Sequence, residues 1–223
     1  MKNNISYAKY ICNTVKRHEN DHVIYTSAVT DKFVRKYELK EEEARKIVNV
    51  NMGRLADDGV IQRVRRGAYV KNRNTEWGKV MALDTTAASV QIFTVEKNNI
   101  IGYETAPSIL NRIGLSTWIT ARTDIVTNKH RAVVPAQAKI RMHAPVIEIT
   151  AQNFRYLQVL DIIAALEKQH IDNPDPKGTV RGIIKKLALD PVTLISYANK
   201  YRKGILAQTI DLLMEEKYES TFG

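Results

Sequence analysis

Five cations, Arg63, Arg65, Arg66, Lys71 and Arg73, fall within eleven residues that contain no acid. Guanidinium and ammonium groups gathered without a neutralising carboxylate suit a phosphate backbone, because each one that meets a phosphate releases a condensed counterion. Upstream, Arg45, Lys46 and Asn49 have the spacing of one helical face, with Arg45 at its edge. Arg and Lys match guanine or phosphate acceptors, and Asn pairs with an adenine edge. Gly53 on the same face would let a duplex backbone come close. A second set, Arg122, Lys129, Arg131, Lys139 and Arg141, is opposed only by Asp124 across residues 122–141. Alternating strand positions would gather several of these on one face, as a second polyanion site or a surface for an acidic protein. A solvated sheet face is the alternative.

Little else in the chain offers chemistry. His18, His22, His130, His143 and His170 show no tight metal-ligand spacing; His130 and His143 on neighbouring strands are the nearest approach to a pair. The phosphate-loop, dinucleotide and nucleophile-elbow glycine patterns are absent. Asp124 and Glu148 would serve a nuclease as metal carboxylates, but Glu148-Ile149-Thr150 lacks the lysine such sites carry. The expectation is a protein that is not an enzyme and needs no cofactor or metal.

The composition agrees. The chain has 223 residues, 44% hydrophobic and 26% charged, as in an ordinary soluble globular protein. Six Pro and ten Gly exclude a fibrous or disordered chain. A lone Cys12 excludes an intramolecular disulfide and suits a reducing cytoplasm. No apolar run reaches the length of a membrane span, and residues 1–20 lack a signal-peptide core, so a cytoplasmic protein without a membrane partner is expected. The net charge is +10. Residues 1–75 carry 16 Lys+Arg against 9 Asp+Glu, net +7; residues 76–223 carry 18 against 15, net +3. The excess belongs to the first third.

The elements that would position these groups can be read from periodicity. Residues 3–18 place Ile5, Ala8, Ile11, Cys12 and Val15 on one helical face. Thr26 offers an N-cap for a helix over 27–37, with Val29, Phe33 and Val34 inward, and is itself placed among the DNA-binding residues. A third helix over 40–58 has Glu41, Glu42 and Glu43 in its first turn and Ala44, Ile47, Val48, Asn51 and Leu55 as its core face. Residues 60–64 and 68–71, joined by the basic turn Arg65-Arg66-Gly67, read as a hairpin. Three helices followed by a basic hairpin is the order of a winged helix-turn-helix, whose third helix enters the major groove.

Beyond a polar linker at 72–78, the spacing predicts a helix over 86–97, a buried strand at 100–103 and a helix at 107–113 stopped by Gly114. Short strands are expected at 118–119, 125–127, 131–134, 139–142 and 146–149, then a helix from Arg155 and two or three more over 178–188, 191–200 and 204–217. The fold class is therefore α+β: a winged helix-turn-helix DNA-binding domain over 1–74, then a small mixed α/β domain over 75–223, with its α/β core at 75–150 and a helical part at 151–223.

The run Asp58-Gly59-Val60-Ile61-Gln62-Arg63-Val64-Arg65-Arg66-Gly67-Ala68-Tyr69 is followed by Trp77-Gly78-Lys79-Val80 and by Tyr103-Glu104-Thr105-Ala106 leading to Ile113-Gly114-Leu115-Ser116-Thr117. In this the chain resembles the AbiEi family of antitoxin-type transcriptional regulators, over roughly residues 5–170. Trp118 stands where that family frequently has Gln. The resemblance implies a transcriptional autorepressor that binds inverted repeats in its own promoter. It also implies the antitoxin of a type IV toxin–antitoxin (abortive infection, phage defence) system, countering a nucleotidyltransferase-type toxin without a stable complex. No long coiled coil or dimer helix is visible in the sequence, so a monomer in solution is expected. The alternative is a stand-alone winged-helix regulator whose second domain senses a ligand or a protein partner.

Overall fold

The computed structural model describes residues 6–20, 22–72, 84–96 and 99–219, with side chains as far as residue 214. Ile5, Arg73, the linker beyond Asn72, the expected boundary after residue 74 and the segment Trp77-Gly78-Lys79-Val80 lie outside the described residues. The chain is mixed α and β. It divides into two compact units, Met1–Ile92 with Val134–Ala138, and Phe93–Val133 with Lys139–Gly223.

The first unit opens with α1 (Tyr7–Lys16), capped by the Ser6 hydroxyl, which accepts from the Lys9 amide at 3.3 Å. Ile11 and Val15, one turn apart, are its buried residues. Ala8, expected inside, is exposed. The helix packs through Tyr7, on the other flank of Ile11, its ring meeting Phe33 edge-on at 5.1 Å and Tyr37 at 4.8 Å. After β1 (Ile24–Tyr25) comes α2 (Thr26–Tyr37), which buries Val29 and Phe33 and ends at Glu38 with φ 55. Thr26 is not the N-cap: it is the first helical residue, and its amide donates to the Gly67 carbonyl at 2.9 Å.

Helix α3 (Glu41–Asp57) has no side-chain cap; the three glutamates of its first turn complement the helix dipole instead. Ala44, Val48, Met52 and Leu55 are buried. Met52, four residues past Val48, takes the core position expected for Asn51, which is half-buried and donates to the Ile47 carbonyl at 2.8 Å. Strands β2 (Ile61–Arg65) and β3 (Ala68–Lys71) form the hairpin, closed by Arg66 and by Gly67 at φ 76, a left-handed conformation that glycine adopts without a side-chain penalty. The antiparallel sheet runs β1-β3-β2, so β3 is central, with Ala68, Tyr69 and Val70 buried. Most of α4 (Thr85–Thr94) belongs to this unit, with Ala88 and Ile92 buried.

The second unit contains a two-stranded ribbon, β4 (Val95–Glu96) with β5 (Asn99–Ile100), and a three-stranded sheet, β6 (Gly102–Glu104), β7 (Thr123–Thr127) and β8 (Ile140–His143). β6 pairs antiparallel with β7, and β7 parallel with β8. The strand expected at 100–103 is thus divided between β5 and β6. Gly102 is required where it stands: a Cβ there would lie 2.5 Å from the Phe93 carbonyl oxygen and 2.7 Å from that of Val126. The short helix α5 (Ser108–Arg112) follows Pro107 and is stopped by Gly114 at φ 75.

Three expected strands are loops. At 118–119 Trp118 is 64% and Ile119 87% exposed, and the Trp118 ring stacks on His170 at 4.2 Å. Residues 131–134 follow turns closed by His130 N to Thr127 O at 3.2 Å and Ala132 N to Lys129 O at 2.9 Å. At 146–149 the buried Ile149 finds its partners on one side chain: the Asn128 amide accepts from its N–H at 3.0 Å and donates to its carbonyl at 2.9 Å. A strand partner is not needed to satisfy that backbone.

Helix α6 (Phe154–Ala165) buries Leu157, Val159, Leu160, Ile162, Ile163 and Ala165, which lie nearly all round it rather than along one stripe. Around it stand α7 (Pro176–Lys186), α8 (Pro191–Tyr201) and α9 (Ile205–Glu219). α7 and α8 start alike, with a proline in the first turn and an aspartate cap accepting from the backbone at 2.8 Å (Asp175 from Gly178, Asp190 from Thr193).

Candidate functional site

Burying Ala44, Val48, Met52 and Leu55 turns the opposite side of α3 outward. Arg45, Lys46 and Asn49 are all exposed there, together with Val50. Gly53 continues the same face, and a Cβ built on it would meet nothing within 4 Å. Packing inside the unit therefore does not require glycine at this helical position. The face can offer a cation pair, an amide and a bare backbone to a molecule outside.

The hairpin supplies cations of differing freedom. Arg66 is exposed at the turn. Arg63 is exposed on β2 with its guanidinium 5.7 Å from the Tyr69 ring centroid, a placement that restrains it without using its donors. Arg65 is half-buried. Lys71 serves the fold, since its ammonium donates to the Lys16 carbonyl at 2.7 Å and to Asn20 Oδ1 at 3.3 Å, closing the C-terminus of α1. Thr26 is buried, and its hydroxyl has no hydrogen-bond partner among the described residues; through its backbone bond to Gly67 it ties the hairpin turn to the start of α2. Of the expected DNA-contacting set, the structure leaves Arg45, Lys46, Asn49, Arg63 and Arg66 at the surface.

The cations of the second unit do not share one face. Thr123 is in register with Ile140, and its amide donates to the Lys139 carbonyl at 2.8 Å, so Arg122 and Lys139 lie side by side where β7 and β8 begin. Lys129 follows the other end of β7, about 15 Å of strand away, and forms an ion pair with Glu96. Arg131 is exposed in the loop beyond, and Arg141 on β8 lies 3.6 Å from the Asp124 carboxylate.

His143 does not pair with His130. Its Nε2 is 2.7 Å from Asp124 Oδ1, and Asp124 is buried. Glu148 is exposed, and among the described residues no group of three His, Cys, Asp or Glu could hold a metal ion. A larger polar cluster surrounds Asp161 on α6. Asp161 Oδ2 accepts from the Tyr103 hydroxyl at 3.0 Å and the Thr105 hydroxyl at 2.9 Å; Oδ1 accepts from the Tyr201 hydroxyl at 2.7 Å and lies 3.6 Å from the Arg202 guanidinium. Burial, and then the neighbouring Asp161 charge, push both tyrosine hydroxyls well above their ordinary range. The signal for this cluster in the sequence was an acid inside the apolar run Leu157, Leu160, Ile163, Ala164.

The chain matches no protein-family model and no curated protein.

Proposed function

We propose that the protein is a sequence-specific DNA-binding autorepressor, with a winged helix-turn-helix as its first unit and α3 as the recognition helix. The observation that carries this reading is the outward face of α3, where Arg45, Lys46 and Asn49 stand exposed beside a glycine that internal packing does not need. The side chains offer guanine, phosphate and adenine partners. The helix is followed directly by a hairpin with exposed Arg63 and Arg66, fit to hold the phosphate backbone or enter the minor groove. The antitoxin role against a nucleotidyltransferase-type toxin rests on the resemblance at residues 103–106 and 113–117. In this reading the protein is cytoplasmic and acts on inverted repeats of its own promoter as a monomer.

A reporter driven by that promoter tests the repressor part. Repression is expected with the native chain and is expected to fall at least tenfold with Lys46→Ala and Asn49→Ala combined. Equal repression by both would contradict it. Growth rescue on co-expression with a neighbouring nucleotidyltransferase tests the antitoxin part. The polar cluster at Asp161 favours a second reading, in which the same DNA-binding unit serves a stand-alone regulator and the second unit senses a ligand.

A further inference from the structure

Within the second unit, a cavity of about 160 Å³ opens beside the Asp161 cluster. Its wall comes from the end of β6 through Ala106, from Val126 and His143 on neighbouring strands, from α6 and the residues after it, and from Arg202 after α8. The volume is below the roughly 300 Å³ at which drug-sized ligand sites begin, so it suits a small group.

Three basic side chains line it, two of them cations that attract an anion. Lys168 lines the cavity, and its ammonium has no ion pair or hydrogen bond among the described residues. Arg202 is positioned by the buried Asp161 carboxylate at 3.6 Å and lies over the Tyr201 ring at 5.2 Å. Neither contact is a hydrogen bond, so among the described residues its planar fork of N–H donors is oriented by an ion pair but has no hydrogen-bond acceptor. His143 is held through Nε2 by Asp124, which leaves Nδ1 as an acceptor that can meet the O–H of a protonated phosphate. The one acid in the wall, Asp161, already accepts three hydrogen bonds from hydroxyls, so its lone pairs are largely committed.

We propose that this cavity binds a phosphate group, free or as a small phosphomonoester, between Lys168, Arg202 and His143. An oriented guanidinium matches two oxygens of a tetrahedral oxyanion, and a free ammonium supplies the point charge. The site lies in a unit separate from α3 and the hairpin, and the inference does not depend on the DNA-binding reading.

The test is calorimetric titration of the full chain with inorganic phosphate, adenosine 5′-monophosphate and adenosine, at matched ionic strength in chloride. Saturable one-site binding of the two phosphates, and none of adenosine, is expected. Tighter binding of the monophosphate assigns the site to a phosphomonoester; tighter binding of inorganic phosphate assigns it to the free ion. Lys168→Ala, which removes no internal partner, is expected to weaken binding at least fivefold, and Arg202→Gln at least tenfold. Arg122→Ala, outside the cavity, is expected to leave it unchanged, and phosphate should shift the ring resonances of His143. The proposal is overturned if neither phosphate gives a saturable signal at millimolar concentration. It is equally overturned if adenosine binds as well as its monophosphate, or if Arg122→Ala weakens binding as much as Lys168→Ala.

Discussion

In the proposed DNA-binding reading, Asn49 and Arg66 divide the work of the α3–hairpin surface, and their substitutions should separate cleanly. An exposed amide that reads a base edge contributes discrimination, so Asn49→Ala is expected to cost about 1–3 kcal/mol on the preferred duplex and little on a scrambled one. Arg66, exposed at the turn, would meet phosphate. Arg66→Ala should weaken binding on every sequence alike and reduce the log–log salt slope by about 0.9 per lost contact. Fluorescence anisotropy on both duplexes over a range of salt concentrations measures the two effects. A different kind of residue effect belongs to Tyr103 and Tyr201. Their hydroxyls are held protonated in the folded state, whereas in the unfolded chain they ionise near the ordinary value of about 10. A group whose folded pKa is raised contributes stability below its unfolded pKa and loses it as pH climbs beyond. The protein should therefore lose up to about 1.4 kcal/mol per pH unit for each tyrosine above pH 10. Tyr103→Phe should flatten that alkaline loss in urea melts at successive pH values; an unchanged slope would show that the hydroxyl titrates freely.

At the scale of the element, α3 makes a prediction with two opposite signs. Glycine inside a helix costs roughly 0.5–1 kcal/mol relative to alanine, and the Cβ position at Gly53 is open. Gly53→Ala should raise stability by about that amount while lowering DNA affinity, if a duplex backbone approaches there. A variant both more stable and equally tight would remove Gly53 from the interface. Lys71→Ala should do the reverse: destabilise by about 0.5–1 kcal/mol through the lost contact with the end of α1, with little change in DNA binding. The helices and the hairpin were legible because each is marked locally. Apolar residues recur every three or four positions, acids fill the first turn of α3, and Gly59, Gly67 and Gly114 stop or turn the chain at left-handed φ. The strands of the second unit were less so. Trp118 and Ile119 have strand propensity, yet propensity expresses burial on a pleated surface, and these two side chains lie out in solvent. Ile149 is buried as a strand residue would be, but a single Asn128 side chain replaces the strand that would pair with it. Nothing in the local pattern at 146–149 reports an amide twenty-one residues earlier.

For the whole molecule, the same contrast decides how much of each candidate site could be read in advance. The α3–hairpin surface is made of residues close in sequence, so charge counting and helical spacing bring Arg45, Lys46, Asn49, Arg63 and Arg66 together before any tertiary contact is known. Spacing did not separate Lys71 and Thr26 from that set, because their partners, the end of α1 and the Gly67 carbonyl, are assembled by the fold. The cavity in the second unit draws on Thr105, His143, Asp161, Lys168 and Arg202, spread over almost a hundred residues, and only packing unites them. A net charge of +10 favours non-specific attraction to polyanions at low salt, so affinity alone decides nothing. The direct test is binding of the full chain to a labelled duplex from upstream of its own gene against a scrambled duplex of equal length, at low and at moderate salt. The DNA-binding reading predicts a preference of about a hundredfold or more that persists at moderate salt, as specific readers show. Equal affinities for the two duplexes, falling together as salt rises, would contradict it.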